Sequence, residues 1–243
     1  MSRRNGTPDD PRARPGEAPM GAPLRERVKR LIPSSLLLRD LGPVAGRSML
    51  FTFDDGPDPV VTREVLARLE AYRVRAVFFV IGERVERHPE GTLAVGRAGH
   101  VVGNHTYSHR APDPWFGAYL EDVRRCQEAV ARHAGVRPTL FRPPKGHLSP
   151  TSLCVPKMLG LKTMNWSLNV RDWACETEAD ALRAAERLVR EAAPGRIVLL
   201  HDDRPLVLPL LDFVLPRLRD AGFDLSGAVG CVQAEAGAGH AGR

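Results

Sequence analysis

The sequence predicts an α/β fold, a closed or partly closed barrel of about seven parallel strands, on three observations. Strand-like and helix-like segments alternate from residue 47 to residue 230. The chain has 243 residues, 43% of them hydrophobic, enough to bury one sizeable core. Titratable side chains recur where the apolar runs stop, and in a parallel barrel those strand ends gather on one face.

The elements follow in order. "MLFTF" (49–53) reads as a strand that runs into Asp54, Asp55, Gly56 and Pro57. A helix comes next, with Val61, Val65, Leu66 and Leu69 on one face. "AVFFVI" (76–81) is a continuous apolar run, as expected of a strand covered on both sides. Pro89 opens a helix that ends near Gly99. "HVVGNH" supplies another strand, and "YLEDVRRCQEAVARHAG" a long helix stopped by Gly135. "TLFRPP", "KTMNWSL" and "RIVLLH" are three further strands, the last two separated by a helix in "ETEADALRAAERLVREAAPG". "PLLDFVLPRLRDAG" closes the series, and the alternation implies right-handed crossovers between parallel strands.

This places the domain at 47–230, with residues 1–46 as a disordered or linker extension and 231–243 as a flexible tail. Within the extension, "LRERVKRLIPSSLLLRDLG" is basic and amphipathic; it is expected to link or pack, with peripheral membrane contact the weaker role. No apolar run approaches a membrane span, and none follows the N-terminal arginines as in a signal peptide, so the expected location is the cytoplasm. The net charge is +6, but the arginines are scattered and not interleaved with aromatics, so no nucleic acid is expected. Cys126, Cys154, Cys175 and Cys231 show no CxxC spacing and read as reduced thiols. The expected state is a monomer.

The strand ends collect Asp54 and Asp55, Asn104 and His105, Arg142, Asp172 and His201. Adjacent carboxylates repel, so either they cap the next helix or a cation lies between them. Pro57 and Pro59 make the cap awkward. "NHTYSH" places His105 and His109 four apart, a spacing that on a helical turn aligns two imidazoles on one side. With a carboxylate from Asp54 or Asp55 they form a two-histidine, one-carboxylate set, which leaves positions open for water and substrate. Mixed nitrogen and oxygen donors suit a divalent ion, zinc first, with cobalt, manganese and iron also compatible.

The segments "TFDDGP", "HTYSH", "RPPKG", "RDW" and "LLH", in this order, resemble the five motifs of the polysaccharide deacetylase family, the NodB-homology domain of carbohydrate esterase family 4. The resemblance spans about residues 47–225. It implies an irregular parallel (β/α) barrel of the glycoside hydrolase–deacetylase type. It also implies metal-dependent hydrolysis of the N-acetyl amide of N-acetylglucosamine-containing carbohydrate (oligosaccharide, peptidoglycan or chitin-like), releasing acetate. By position, Asp55, His105 and His109 become the metal ligands, Asp54 the general base and Arg142 its partner. His201 becomes the general acid, tuned by Asp172, and the main-chain N–H of Lys145 the oxyanion donor.

Two departures from the family pattern stand out. Lys145 replaces an aromatic residue, exchanging a flat apolar wall for a charge; it is expected either to favour a substrate with an anionic group near the reacting sugar or to point to solvent and do little. Asn169 stands where an aspartate often precedes the "DW" pair. Trp173 is expected to line a sugar groove, Trp166 to do so or to pack in the core, and Leu199 to receive the acetyl methyl or to be plain strand core. His147 reads as an exposed loop residue, His88 and His100 as structural or solvated, and Cys175 as no nucleophile. The competing readings are the same site acting on another carbohydrate-linked or small-molecule amide, and a non-catalytic sugar-binding relative.

Overall fold

The most apolar stretches of the chain become its central strands. The structure, a computed structural model, describes residues 32–42, 46–112 and 116–238. Eight parallel strands form one sheet: β1 (Leu37–Leu38), β2 (Leu50–Asp54), β3 (Ala76–Val80), β4 (Val101–Asn104), β5 (Leu140–Phe141), β6 (Lys162–Met164), β7 (Leu168–Asn169) and β8 (Ile197–His201). Their spatial order is β1-β6-β5-β4-β3-β2-β8-β7, so β1 and β7 are the edges and the curled sheet is a partly closed barrel. The stretch read as one strand, "KTMNWSL", splits into β6 and β7, which lie at opposite ends of that order.

Strand parity decides what faces where, because successive side chains point to opposite sides. Leu50 of β2 and Val77 and Phe79 of β3 join the inner cluster, while Phe51, Phe53, Phe78 and Val80 join the cluster under the helices. Both faces of these strands are covered, so β2 and β3 are buried along their whole length. The same parity puts Thr52 and Asp54 on the inner face with Leu50. Gly103 of β4 is required by this inner packing: a Cβ there would overlap the Phe79 ring.

Eight α-helices accompany the sheet among the described residues: α1 (Val61–Ala71), α2 (Gly82–Arg87), α3 (Pro89–Arg97), α4 (Phe116–Ala134), α5 (Pro150–Met158), α6 (Glu178–Arg190), α7 (Val207–Asp220) and α8 (Ala228–Ala238). On α1 the apolar face is Val61, Val65, Leu66 and Leu69, as the periodicity predicts. Neither Asp54 nor Asp55 caps this helix. Asp58 does so instead, its Oδ1 accepting from the N–H groups of Val60 at 2.9 Å and Val61 at 2.8 Å.

Two boundaries differ from the sequence reading. Leu37 and Leu38, placed in the extension, pair with Thr163 and Met164 of β6 and are buried. Ala228, Val229 and Val232, at the expected end of the domain and in its tail, join the inner cluster with Leu50, Val101, Leu140 and Ile197, which lie at the starts of their strands. Helix α8 therefore packs at the end of the barrel opposite the strand C-termini. A two-residue strand and a helix of alanine, glycine and valine leave too little pattern to be read from sequence. Residues 1–31 and 239–243 lie outside the described residues.

Cys126 is buried, Cys175 half-buried and Cys154 and Cys231 exposed, all as free thiols. Among the described residues no helix is long and apolar enough to cross a membrane. The N-terminal boundary has a direct test. Leu38→Ala should lower the unfolding free energy in urea titrations by about 2–4 kcal/mol, as expected for a buried leucine. A linker residue would change it by under about 0.5 kcal/mol.

Candidate active site

The two histidines meet through a loop. "HTYSH" is not a helical turn: it leaves β4 as an irregular segment with Thr106 and His109 in the left-handed region (φ 66° and 54°). The loop is held by the groups around it. Asn104 sits on the outer face, donates to the Val123 carbonyl of α4, and accepts from the Thr106 N–H at 2.9 Å. Asp122 of α4 accepts from the Ser108 hydroxyl at 2.9 Å, and its carbonyl accepts from the Tyr107 N–H. The N–H groups of Gly82 and Glu83 donate to the carbonyls of Thr106 and Tyr107.

Asp55 follows β2 with φ 73°, and its Oδ1 lies 3.4 Å from His105 Nε2 and 3.2 Å from His109 Nε2. Ligand atoms of these three residues all lie within 4.8 Å of one another. His105 Nδ1 is 2.7 Å from the Arg142 carbonyl, which can only accept. A proton therefore sits on Nδ1, and Nε2 is the atom turned to Asp55. Burial opposes a charge on the ring, but Asp54 and Asp55, with the Arg142 carbonyl, raise its pKa above the ordinary value. Asp55 Oδ1 is buried without a hydrogen-bond donor. A buried carboxylate oxygen and two imidazole nitrogens converging on one point form a donor set that fits a divalent cation. The electrostatics agree. Burial opposes the Asp55 charge, but His105, His109 and His201 hold its carboxyl well below the usual carboxylate range. Burial, then His105, keeps His109 below its ordinary pKa, and Lys145 adds to the effect.

The neighbouring Asp54 is committed elsewhere. It is 3% exposed, and its Oδ1 accepts from Arg142 at 2.7 Å. Its Oδ2 remains 3.7 Å from His105 Nε2, facing the ligand set. Arg142 is wholly buried, yet its donors are used: by Thr52 Oγ1 at 2.7 Å, the Met164 carbonyl at 3.3 Å and the Asn165 carbonyl at 3.0 Å. Its guanidinium lies over the Phe79 ring, 4.2 Å from the centroid. Across the sheet, Asp54 pairs in register with His201 of β8. Asp172, in a short 3-10 turn (Asp172–Ala174), accepts from the His201 main-chain N–H at 2.7 Å and lies 3.0 Å from its Nδ1. Burial opposes the His201 charge, but the Asp172 hydrogen bond and charge, with Asp54 and Asp55, raise its pKa to about 9. Asn169 takes no part in this pair; its Oδ1 accepts from the Arg171 N–H at 2.8 Å.

The sequence model described as polysaccharide deacetylase matches residues 42–164. A peptidoglycan-N-acetylglucosamine deacetylase of Bacillus cereus is 36% identical over 181 residues, 71% of this chain and 82% of the relative. The chain belongs to the polysaccharide deacetylase family. A chitooligosaccharide deacetylase of Bradyrhizobium is 33% identical over 222 residues, 82% of this chain and 97% of the relative. Peptidoglycan-N-acetylmuramic acid deacetylase PdaC of Bacillus subtilis is 31% identical over 175 residues, 72% of this chain but 36% of that longer relative. A solved structure of that peptidoglycan deacetylase matches with a TM-score of 0.69 at 28% identity, over 79% of this chain and 94% of the solved one.

In this family member, Asp54, Asp55, His105, His109, Arg142, Asp172 and His201 form one constellation at the strand C-termini, joined by hydrogen bonds, close contacts and the register of β2 with β8. Lys145 is exposed in a 3-10 turn (Pro144–Gly146) that begins two residues after Arg142. Trp173 is 45% exposed and so available to a groove, whereas Trp166 is half-buried and packs against Gly146. Leu199 is 3% exposed, two residues before His201 on the same face of β8 and absent from the helix-side cluster. His147 is exposed. His100 is buried and neutral, its Nδ1 accepting from the Ala76 N–H, with burial pulling its pKa down to about 4.

Sequence reasoning missed Thr52, Thr62 and Asp202. Asp202 follows His201, is 1% exposed, and lies against Gly56, where a Cβ would overlap its carboxylate. Its Oδ2 accepts from Thr62 Oγ1 at 2.6 Å, its N–H donates to the Asp54 carbonyl at 3.3 Å, and its Oδ1 has no donor. Burial, helped by Asp203 and Asp55, pushes its pKa up to about 7. These bonds tie the turn carrying both aspartates to the strand carrying His201. The one advance signal is that "LLHD" extends the strand end by another acid.

Two measurements follow. The Asp172 carboxylate favours the His201 imidazolium, so Asp172→Asn should lower the His201 pKa, followed by NMR titration, by more than about one unit. Thr62→Val removes the hydroxyl donor to Asp202 and should cost about 1–3 kcal/mol in urea unfolding at pH 8. The loss should shrink as acid protonates the carboxyl.

Proposed function

We propose that the chain hydrolyses the N-acetyl amide of N-acetylglucosamine-containing glycans and releases acetate, using a divalent ion held by Asp55, His105 and His109. The observation that carries this reading is the pairing of Asp54 with Arg142 beside an open two-histidine, one-carboxylate set, with His201 and Asp172 facing it. Zinc is the ion proposed, on the mixture of nitrogen and oxygen donors. When bound, such an ion lowers the pKa of a water and polarises the acetamide carbonyl.

The protein's own groups do the rest. Arg142 occupies Asp54 Oδ1, leaving Oδ2 to take the proton of the attacking water. His201, with a pKa near 9, is an imidazolium at neutral pH, and Asp172 fixes its Nδ1 so that Nε2–H is free to donate to the departing amine. The main-chain N–H of Lys145 is the proposed oxyanion donor, and Leu199 the wall against the acetyl methyl. The arrangement separates the two proton carriers: Asp54 ends β2 and His201 ends β8.

Acetate release from chitotetraose by the metal-loaded chain tests this reading. Asp54→Asn should reduce kcat by about 10²–10⁴ while metal analysis still finds a bound ion. His105→Ala should lose ion and activity together. Near-normal turnover by Asp54→Asn would remove the base, and a chain that takes up no ion would end the proposal.

A further inference from the structure

The chain that leads into β2 does more than cover an edge. Residues 34–42 begin beside β6, where Lys162 Nζ donates to the Ser34 carbonyl and Leu37 and Leu38 pair with Thr163 and Met164. They end next to the start of β8, where the Leu41 N–H donates to the Gly195 carbonyl at 2.8 Å. The segment is thus a strap across the opening between the two edges of the curled sheet. Leu38 and Leu41 enter the inner cluster with Leu50 and Ile197. Gly195 leaves room for the strap: its φ is 85°, and a Cβ there would lie 2.9 Å from the Gly42 carbonyl oxygen.

The other side of this strap reaches Arg142. Pairing between β5 and β6 ends at Phe141 and Thr163, whereas pairing with β1 runs on to Met164. The Asn165 N–H then donates to the Leu38 carbonyl at 2.8 Å. That N–H and the Met164 carbonyl belong to one planar peptide group. The Met164 carbonyl accepts from Arg142 Nε at 3.3 Å, and the Asn165 carbonyl from Nη2 at 3.0 Å. One rigid peptide is therefore gripped by the strap on one side and by the guanidinium on the other. A hydrogen bond to its N–H polarises its carbonyl, which strengthens the second contact. The remaining acceptors of the guanidinium are Thr52 Oγ1 and Asp54 Oδ1.

We propose that the strap, residues 37–41, is a positioning element of the active site, holding Asp54 in its working orientation through the Met164–Asn165 peptide and Arg142. This rests on the deacetylase reading, in which Asp54 is the base. With the strap displaced, the two carbonyls turn, Arg142 loses its backing and Asp54 Oδ2 loses its bearing on the ligand set. Misplacing a reacting group by about 1 Å costs about 10²-fold in rate.

The test compares Leu38→Ala with Leu218→Ala, a similarly buried leucine of α7 in the helix-side cluster, in the full chain loaded with zinc. Leu38→Ala should lower kcat on chitotetraose by about tenfold or more, with KM within about twofold and zinc content unchanged. In NMR hydrogen exchange, the Arg142 Nε–H should speed up by about tenfold relative to the Phe78 amide of β3. Leu38→Met should return both readings to within about twofold of the parent chain, and Leu218→Ala should leave both there. Gly195→Ala displaces the strap without opening a cavity; it should follow Leu38→Ala, and it decides the matter where Leu38→Ala does not fold. If the strap variants match Leu218→Ala in kcat and in the exchange ratio, the strap is structural only and the proposal fails. Loss of zinc along with kcat would overturn it too, because the ligand set would then have moved. No acetate from the parent chain would overturn the deacetylase reading instead, while the exchange ratio would still decide whether the strap holds Arg142.

Discussion

The site depends on Arg142, a guanidinium with no solvent contact that serves two neighbours at once. Its side chain fixes Asp54, and its main-chain carbonyl fixes the tautomer of His105. Both functions need the residue to leave β5 in one conformation, and the surroundings enforce it: Thr52 and two carbonyls take the remaining donors, and Phe79 lies under the guanidinium plane. Burying this ion pair is not in itself a gain in stability, because desolvation offsets most of the attraction. Removing one partner is another matter and costs about 3–5 kcal/mol, since it strands a charge inside the barrel. Carboxylate position is thereby coupled to fold integrity, so Asp54 cannot drift without the interior being disturbed.

Four carboxylates crowd the strand ends, and each has its charge met in a different way. Arg142 answers Asp54, and His201 answers Asp172. Asp202, buried with one oxygen lacking a donor, has its other oxygen met by the Thr62 hydroxyl and its pKa pushed up to about 7, so that its charge is only partly present at neutral pH. Asp55 alone is left facing two imidazoles without a donor to its buried oxygen. At an effective dielectric of about 20, unit charges about 4 Å apart interact by about 4 kcal/mol, so such crowding forces a distinct solution for every acid. The solution left for Asp55 is the cation that its donor set fits.

The alternation of strands and helices was legible because long apolar runs such as "AVFFVI" and strongly periodic helices such as α4 leave little choice. Six of the seven residues of the constellation were legible because each stands where such a run ends, and the seventh, His109, because it follows His105 by four residues. What could not be read was short or borrowed from elsewhere. β1 has two residues and exists only because β6 is beside it. Asp202 and Thr62 matter through a contact 140 residues apart in sequence, which no local pattern announces. The spacing of His105 and His109 was informative, but its helical interpretation was not: a loop pinned by Asn104 and Asp122 produces the same convergence.

That loop belongs to a wider pattern. Among the described residues, six non-glycine positions have φ in the left-handed region, and five of them, Asp55, Thr106, His109, Lys145 and Arg171, lie in the loops at the strand C-termini; Arg73 is the other. The conformation costs roughly 1–2 kcal/mol per residue for an L-amino acid, so its concentration there reflects something the loops gain. A left-handed residue turns the chain sharply right after a strand, which lets consecutive side chains leave in directions that neither helix nor strand allows. Asp54 can then point to Arg142 while Asp55, one residue later, points to the histidines. Two adjacent acids take different partners because the backbone bends between them, and the apolar core below supplies the rigidity that keeps it bent.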